Sequence, residues 1–383
     1  MTENSPQITA KTLRGLEEIL ASEIRSIGGR NIKTGTRVVH FEGDRELLYK
    51  ANFLSRTALR ILKPFHEFKA RDENELYRGA YDFDWAPLLS GDRTFAIDGV
   101  LNSPYFNHSG YIALKVKDAI ADQFRAKTGK RPSVDTENPD IRINLHISGD
   151  KCTMLLDSSG ESLHRRGYRE ETHKAPLSEV LAAGIIMLSG WDRRSPLVDP
   201  MCGSGTIPIE AAMIASNVPP GFYRKNFAFQ KWPDYDDLLF RKIYEGDYPQ
   251  PKDLPLIAGS DTSSHAVGIA RKNARNAFLT RKVALRISSM ENLEPPEGPG
   301  VLITNPPYGE RIRPDNLRAL YSVLGDVLKK KFTGYSAWIL SSNREALKFV
   351  GLRPEKKIVL FNGPLECRLV KYSLYEGSRK TVK

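Results

Sequence analysis

The stretch "PLVDPMCGSGT", Pro196 to Thr206, decides how the C-terminal half of the chain folds. An apolar pair leads to Asp199, two glycines follow two residues apart, and the apolar run "IPIEAAMIAS" begins at once. That is a short buried strand, a tight turn and a helix. In open α/β sheets the ligand crevice lies beyond the carboxyl ends of the strands, and glycine lets the backbone approach a ligand closely. The run Gly203-Ser204-Gly205-Thr206-Ile207-Pro208 starts like a dinucleotide fingerprint, but Pro208 stands where the third glycine belongs. Such a site also wants an acid about 20 residues further on. The acid ending the next strand, Asp261 in "AGSD", is much more distant. The pattern fits a nucleoside without a pyrophosphate. Asp261 would accept hydrogen bonds from two ribose hydroxyls. It could also N-cap the next helix, and its two oxygens allow both roles. Asp199 would lie near the ligand's amino group. A cationic, phosphate-free nucleoside, S-adenosylmethionine, meets these demands. A plain strand–helix turn would explain the glycines but not the two acids.

Outward from this loop, strands and helices alternate over residues 166–383. "PLSEVLAAGIIMLSGW" reads as a helix with Pro176 in its first turn. After the glycine loop come strand "LPLIAGSD", helix "SSHAVGIARKNARNAF", strands "VALRISS" and "VLITN", helix "NLRALYSVLGDVLKKKF" and strand "YSAWILSS". Strands "KKIVLF" and "CRLVKYSLY" close the chain. The rhythm predicts an α/β, Rossmann-like, mostly parallel sheet. The "NGPLE" turn is too short for a parallel crossover, so the last strand must be antiparallel. Residues 1–65 read as a small α+β unit: strand "QITAKT", a helix stopped by Gly28–Gly29, strand "RVVHFEG", and a helix N-capped by Asp44. Residues 66–165 read as a second α+β module, ending in a hairpin that turns near Gly149–Asp150.

The strand "VLITN" runs into "NPPY", Asn305 to Tyr308. Two prolines fix φ and remove two backbone donors, which aims the Asn side chain and a free carbonyl outward. A nucleobase amine is a poor nucleophile, because its lone pair is delocalised into the ring. Two acceptors on its hydrogens, Asn305 Oδ1 and the Pro306 carbonyl, would draw the nitrogen toward tetrahedral geometry. Tyr308 would stack on a base taken out of its helix. This is catalysis by positioning and electrostatics. Alone, Asn-Pro-Pro would be an ordinary turn; after this glycine loop it reads as a catalytic one.

"DPMCGSGT" with "NPPYGER" resembles the class I amino-methyltransferases that modify nucleobases. "HRRGYREETHKAPLSEVLAAG" is similar to the segment entering that fold in RNA guanine-N2 methyltransferases carrying a THUMP domain. The resemblance implies a ferredoxin-like domain over 1–65, a THUMP domain over 66–165 and a methyltransferase domain over 166–383. It implies that Pro176, Leu177, Asp199, Pro200, Cys202, Gly203, Ser204, Gly205, Thr206, Asp261, Thr262, Ser289 and Met290 border S-adenosylmethionine. Asn305, Pro306, Pro307 and Tyr308 would hold the target amine. Ser289 departs from the family, which usually has an Asp there on the adenine amine. The nearest members look like bacterial 23S rRNA guanine-N2 methyltransferases, here with a single methyltransferase unit. tRNA enzymes share the architecture. A non-catalytic RNA-binding assembly factor could keep the fold, but the intact Asn305, Tyr308, Asp261 and glycine loop argue against it.

Composition agrees. Lys plus Arg exceeds Asp plus Glu by 57 to 46, a net charge of +11, which favours a polyanionic partner. Arg165, Arg166 and Arg169 around Tyr168, and Arg311 and Arg313 beyond "NPPY", are candidate RNA contacts. "RKNARNAFLTRK" reads as a solvated helix face. The three cysteines, Cys152, Cys202 and Cys367, form no CxxC pair, so neither a disulfide framework nor structural zinc is expected. No apolar run is long enough to span a bilayer. The N-terminus lacks a secretion signal, so the cytoplasm is the expected compartment. The aromatic segment 217–256 could be a lid over the target base or a packed insertion.

Overall fold

A computed structural model describes residues 6–90, 92–169, 177–307 and 314–375. The N-terminal half is built on strands β1 (Gln7–Thr12), β2 (Arg30–Gly35), β3 (Val38–Glu42), β4 (Ala58–Lys69), β5 (Thr94–Asn102), β6 (Ser133–Val134), β7 (Ile141–Ser148) and β8 (Lys151–Asp157). Helices α1 (Glu17–Ser26), α2 (Arg45–Leu54), α3 (Glu73–Tyr81) and α4 (Ser109–Thr128) cover them. The Asp44 side chain accepts the Leu47 N–H and caps α2 as expected. The β7–β8 hairpin turns at Gly149–Asp150, as expected. The eight strands form one sheet in the order β2-β3-β1-β4-β8-β7-β5-β6. Strand β4 crosses the expected 65/66 boundary and pairs with β1 on one side and β8 on the other. The two N-terminal units therefore share a continuous sheet and a continuous core.

The C-terminal half carries β9 (Leu197–Asp199), β10 (Ile257–Asp261), β11 (Ala284–Ile287), β12 (Val301–Thr304), β13 (Ser336–Ser341), β14 (Lys356–Asn362) and β15 (Leu365–Ser373). Helices α5 (Glu179–Leu188), α6 (Thr206–Ala215), α7 (Asp237–Tyr244), α8 (Ser264–Asn276), α9 (Pro314–Lys331) and α10 (Arg344–Lys348) accompany them. The order is β11-β10-β9-β12-β13-β15-β14; the first five strands are parallel and β15 is antiparallel to both neighbours. Alternation sorts the side chains by face. Leu197 and Ile303 enter the core shared with α5, α6 and α8. Val198 and Leu302 enter the core under α9 and α10.

Segment 217–256 is a packed insertion rather than a lid. Phe227, Phe229, Trp232, Phe240 and Ile243 are buried in the N-terminal core, and Phe229 stacks on Tyr49 at 4.3 Å. The Arg224 guanidinium donates to the carbonyls of Ser159, Glu161, Ser162 and Arg165. Aromatic burial is strongly favourable, so the insertion clasps the two halves together.

Candidate active site

Strand β9 lies between β10 and β12, so the chain crosses in opposite directions from it. That switch point is where an open sheet leaves a crevice. The loop after β9 is pinned at nearly every residue. Cys202 N–H donates to the Ser260 carbonyl (2.9 Å), Gly203 N–H to Asp261 Oδ2 (3.0 Å), and Gly205 N–H to the Cys202 carbonyl (2.9 Å). Asn273 of α8 donates to the Ser204 carbonyl (3.1 Å).

The glycines have separate reasons. Both take positive φ, +53° at Gly203 and +81° at Gly205. A Cβ on Gly205 would lie 2.9 Å from Ala270 Cβ, so this glycine lets α6 approach α8. A Cβ on Gly203 would meet no protein atom within 4 Å. That open space above the loop is what a cofactor's approach requires. Pro208, which displaced the expected third glycine, fills the first turn of α6 against β10; a Cβ on Gly259 would come within 2.9 Å of its ring.

The two acids differ in setting. Asp199 is buried, and its Oδ1 accepts the Thr304 hydroxyl (2.9 Å) and the Met201 N–H (3.2 Å). Burial pushes its carboxyl up to about 7; Asp261 adds to the rise and the two hydrogen bonds oppose it. The Thr304 bond ties the end of β12, and hence the Asn-Pro-Pro loop, to the end of β9. Asp261 is partly exposed at the end of β10 and receives Gly203 N–H and Ser263 N–H. The N-cap of α8 is Ser263, whose side chain accepts the Ala266 N–H. Asp261 is therefore not the cap. The Cys202 thiol is raised well above its ordinary range by burial, which keeps it protonated.

Asn305 follows β12 directly. Its Oδ1 is buried without a hydrogen-bond partner among the described residues. Buried amide oxygens are rarely left so. Pro306 is buried and Pro307 partly exposed beside it. Tyr308, Arg311, Arg313 and Pro176 lie outside the described residues. Ser289 and Thr262 follow β11 and β10 at the same edge of the sheet. Met290 is spent on the core with Val198 and Leu302. Helix α5 begins at Glu179, later than the sequence suggested, and the Leu177 carbonyl accepts from Arg169 (3.2 Å).

The linker's expected RNA contacts divide. Arg165 is exposed, with Glu161 2.8 Å away. Arg166 and Tyr168 are each only 1% exposed, so neither reaches RNA. Both turn to Glu210 of α6, which is itself fully buried: Tyr168 donates to it at 3.1 Å, and Arg166 lies 3.5 Å away. Arg169 is committed inward too, to Thr206 Oγ1 (2.6 Å) and to Glu179 (3.1 Å). Buried carboxylates require cationic or hydrogen-bonded partners, and the linker supplies them. The arginines therefore fix the start of α6, and with it the glycine loop. Sequence reading missed this role, along with Thr304 and Asn273. The one local sign was an acid, Glu210, inside the apolar run "IPIEAAMIAS".

Among the described residues no cluster of His, Cys, Asp or Glu could hold a metal, and no helix is long and apolar enough to cross a membrane.

Residues 166–371 match the RMKL-like methyltransferase domain, 70–157 the THUMP domain and 7–62 the RlmL ferredoxin-like domain. The chain is 41% identical over 370 residues to a Synechocystis protein named "Putative RNA methyltransferase", covering 96% of each. It is 40% identical over 376 residues to "Ribosomal RNA large subunit methyltransferase K/L" of Syntrophotalea carbinolica, covering 95% of this chain but 53% of that one. It thus spans about half the length of that relative. Among solved structures, SMU.472, titled "a putative methyltransferase complexed with SAH", superposes with a TM-score of 0.87 at 32% identity, covering 98% of this chain and 100% of that one.

Proposed function

Because the chain belongs to the RMKL-like methyltransferase family, we propose that it transfers a methyl group from S-adenosylmethionine to the exocyclic N2 amine of a guanine in 23S rRNA. The relatives support RNA methylation as the activity and S-adenosylmethionine as the cofactor. The guanine rests on the resemblance of "NPPYGER" and the entering linker to RNA guanine-N2 methyltransferases. The observation that carries the reading is the orphaned, buried Asn305 Oδ1 beside the glycine loop. An unpaired buried acceptor is costly, and an amine N–H from the substrate would satisfy it.

When bound, S-adenosylmethionine supplies an electrophilic methyl group. The chain's part is to hold and align. Asp261 would accept hydrogen bonds from the ribose hydroxyls, and Asp199 would face the cofactor's amino group. Gly203 leaves room for close approach. Asn305 Oδ1 and the Pro306 carbonyl would accept the two amine hydrogens, and the resemblance gives Tyr308 the role of stacking on the base. The proton on the methylated amine becomes acidic and leaves to water, so no strong general base is needed.

Asp261→Ala is expected to weaken S-adenosylmethionine binding by roughly tenfold or more, since two hydrogen bonds to a charged acceptor are lost. Calorimetry showing unchanged affinity would remove the ribose role. The activity is tested by transfer of labelled methyl to RNA from a strain lacking the gene, with 23S rRNA and bulk tRNA supplied separately. Label in N2-methylguanosine from 23S rRNA is the expected result. Label confined to tRNA would keep the chemistry and move the substrate; label in a different nucleoside would overturn the guanine assignment.

A further inference from the structure

We propose that the aromatic seam of Phe278, Tyr223, Phe222 and Tyr244 docks a single-stranded segment of the substrate RNA, outside the methyl-transfer pocket; this rests on RNA being the substrate. Phe278 is doubly anomalous. The residue is 81% exposed, and its φ is +53°. Helix α8 closes with Leu279 N–H donating to the Ala274 carbonyl (2.8 Å) and Phe278 N–H to the Arg275 carbonyl (2.9 Å). That closing turn ordinarily carries glycine or asparagine at the left-handed position. A bulky residue there is strained, and this one also holds a large apolar face in water. Folding alone would favour another residue, and strain of this kind is a pointer to function.

The ring does not stand alone. Tyr223 lies nearly parallel to it, with ring centroids 6.0 Å apart and planes at 21°. Tyr223 is anchored by its hydroxyl, which donates to the Ala277 carbonyl (2.5 Å). Phe222 sits edge-on to Tyr223 at 5.2 Å and stacks on Tyr244 at 5.5 Å and 5°. Phe222 and Tyr244 are each 39% exposed. The seam therefore joins the insertion to the end of α8.

Its α8 side is basic: residues 271–282 hold five cations and no acid. On the insertion side Lys225 lies two residues from Tyr223 and Lys242 two from Tyr244, with the exposed acids Glu245 and Asp247 following Tyr244. Lys225, Arg275 and Arg281 are exposed and make no ion pair among the described residues. Exposed rings among unpaired cations suit a strand with free base faces and a phosphate backbone; a duplex offers no such faces. Helix α8 runs away from Asp261, so its thirteen residues place Phe278 roughly 20 Å from the cofactor edge. The proposal gives "RKNARNAFLTRK", whose cations lie on a solvated helix face, a role in holding the phosphate backbone.

The test uses the full chain and a labelled single-stranded 12-nucleotide RNA, with a hairpin duplex as the second probe. Phe278→Asn keeps a residue that tolerates the left-handed turn. It should leave Tm unchanged or higher and S-adenosylmethionine affinity unchanged. It should weaken single-strand binding roughly 5- to 30-fold, with little effect on the duplex. Arg275→Gln with Arg281→Gln should lower the slope of log affinity against log salt by about 1.4. Unchanged single-strand affinity in Phe278→Asn overturns the placement. So does unchanged RNA affinity with loss of self-association in sedimentation, which would make the seam a protein contact. A wild-type chain that binds no RNA overturns both this placement and the function above.

Discussion

Asn305→Ala is expected to lower kcat by roughly 10²–10³-fold, the scale seen when one preorganised group facing the reacting centre is removed. Cofactor affinity and Tm should hardly change. The reason lies in the resting geometry. Asn305 Oδ1 accepts no hydrogen bond among the described residues, so the fold loses no hydrogen bond to that oxygen when it goes. The anchoring of the loop belongs instead to the Thr304 hydroxyl, bonded to Asp199 at 2.9 Å. A substitution that removed the acceptor but only raised KM would show uniform binding rather than transition-state work. Single-turnover measurements with saturating RNA separate the two. Asn305→Asp keeps an acceptor and should retain more activity than Asn305→Ala; equal loss in both would put the amide nitrogen, not the oxygen, to use.

Asp199→Asn should move stability and binding in opposite directions. In the cofactor-free chain burial raises the Asp199 carboxyl from 3.8 to about 7. The folded state then holds a proton that the unfolded state releases near pH 4. Its contribution is fully present below about pH 4 and is lost as pH rises through about 7. Asparagine keeps the oxygen that accepts from Thr304 and Met201 and removes the buried charge. At pH 8 the variant should be more stable than wild type by roughly 2–4 kcal/mol, seen as a higher Tm and denaturation midpoint. Wild-type S-adenosylmethionine affinity should rise with pH up to about 7 and then level, because the cofactor's ammonium prefers the carboxylate. Binding near pH 6 should release a proton, measured as a buffer-dependent calorimetric enthalpy. Asp199→Asn should bind weakly and lose both signatures. A pH-independent affinity in wild type would place Asp199 away from the cofactor's charge.

Much of the catalytic half was legible in the sequence because its signals are local. Gly203 and Gly205 between an apolar strand and an apolar helix dictate a turn of positive φ. Asp199 and Asp261 end their strands as the hydrophobic runs require, and the short "NGPLE" turn forces β15 antiparallel. These follow from backbone sterics and from periodicity, which act within a few residues.

What the tertiary structure decided depends on partners far along the chain. Arg166 and Tyr168 look like surface RNA contacts until Glu210, some forty residues on, is found buried against them. The 217–256 insertion became a clasp because its aromatics fit the core around Tyr49 and Phe53, and no local pattern states which surface an aromatic will cover. Strand β4 carries one sheet across the apparent 65/66 boundary, since strand pairing is set by non-local hydrogen bonds. The orphaned Asn305 oxygen and the left-handed Phe278 are likewise properties of assembled surroundings. Sequence specified which residues could carry charge, turn or chemistry; long-range packing determined which of them are buried, paired and left for a ligand.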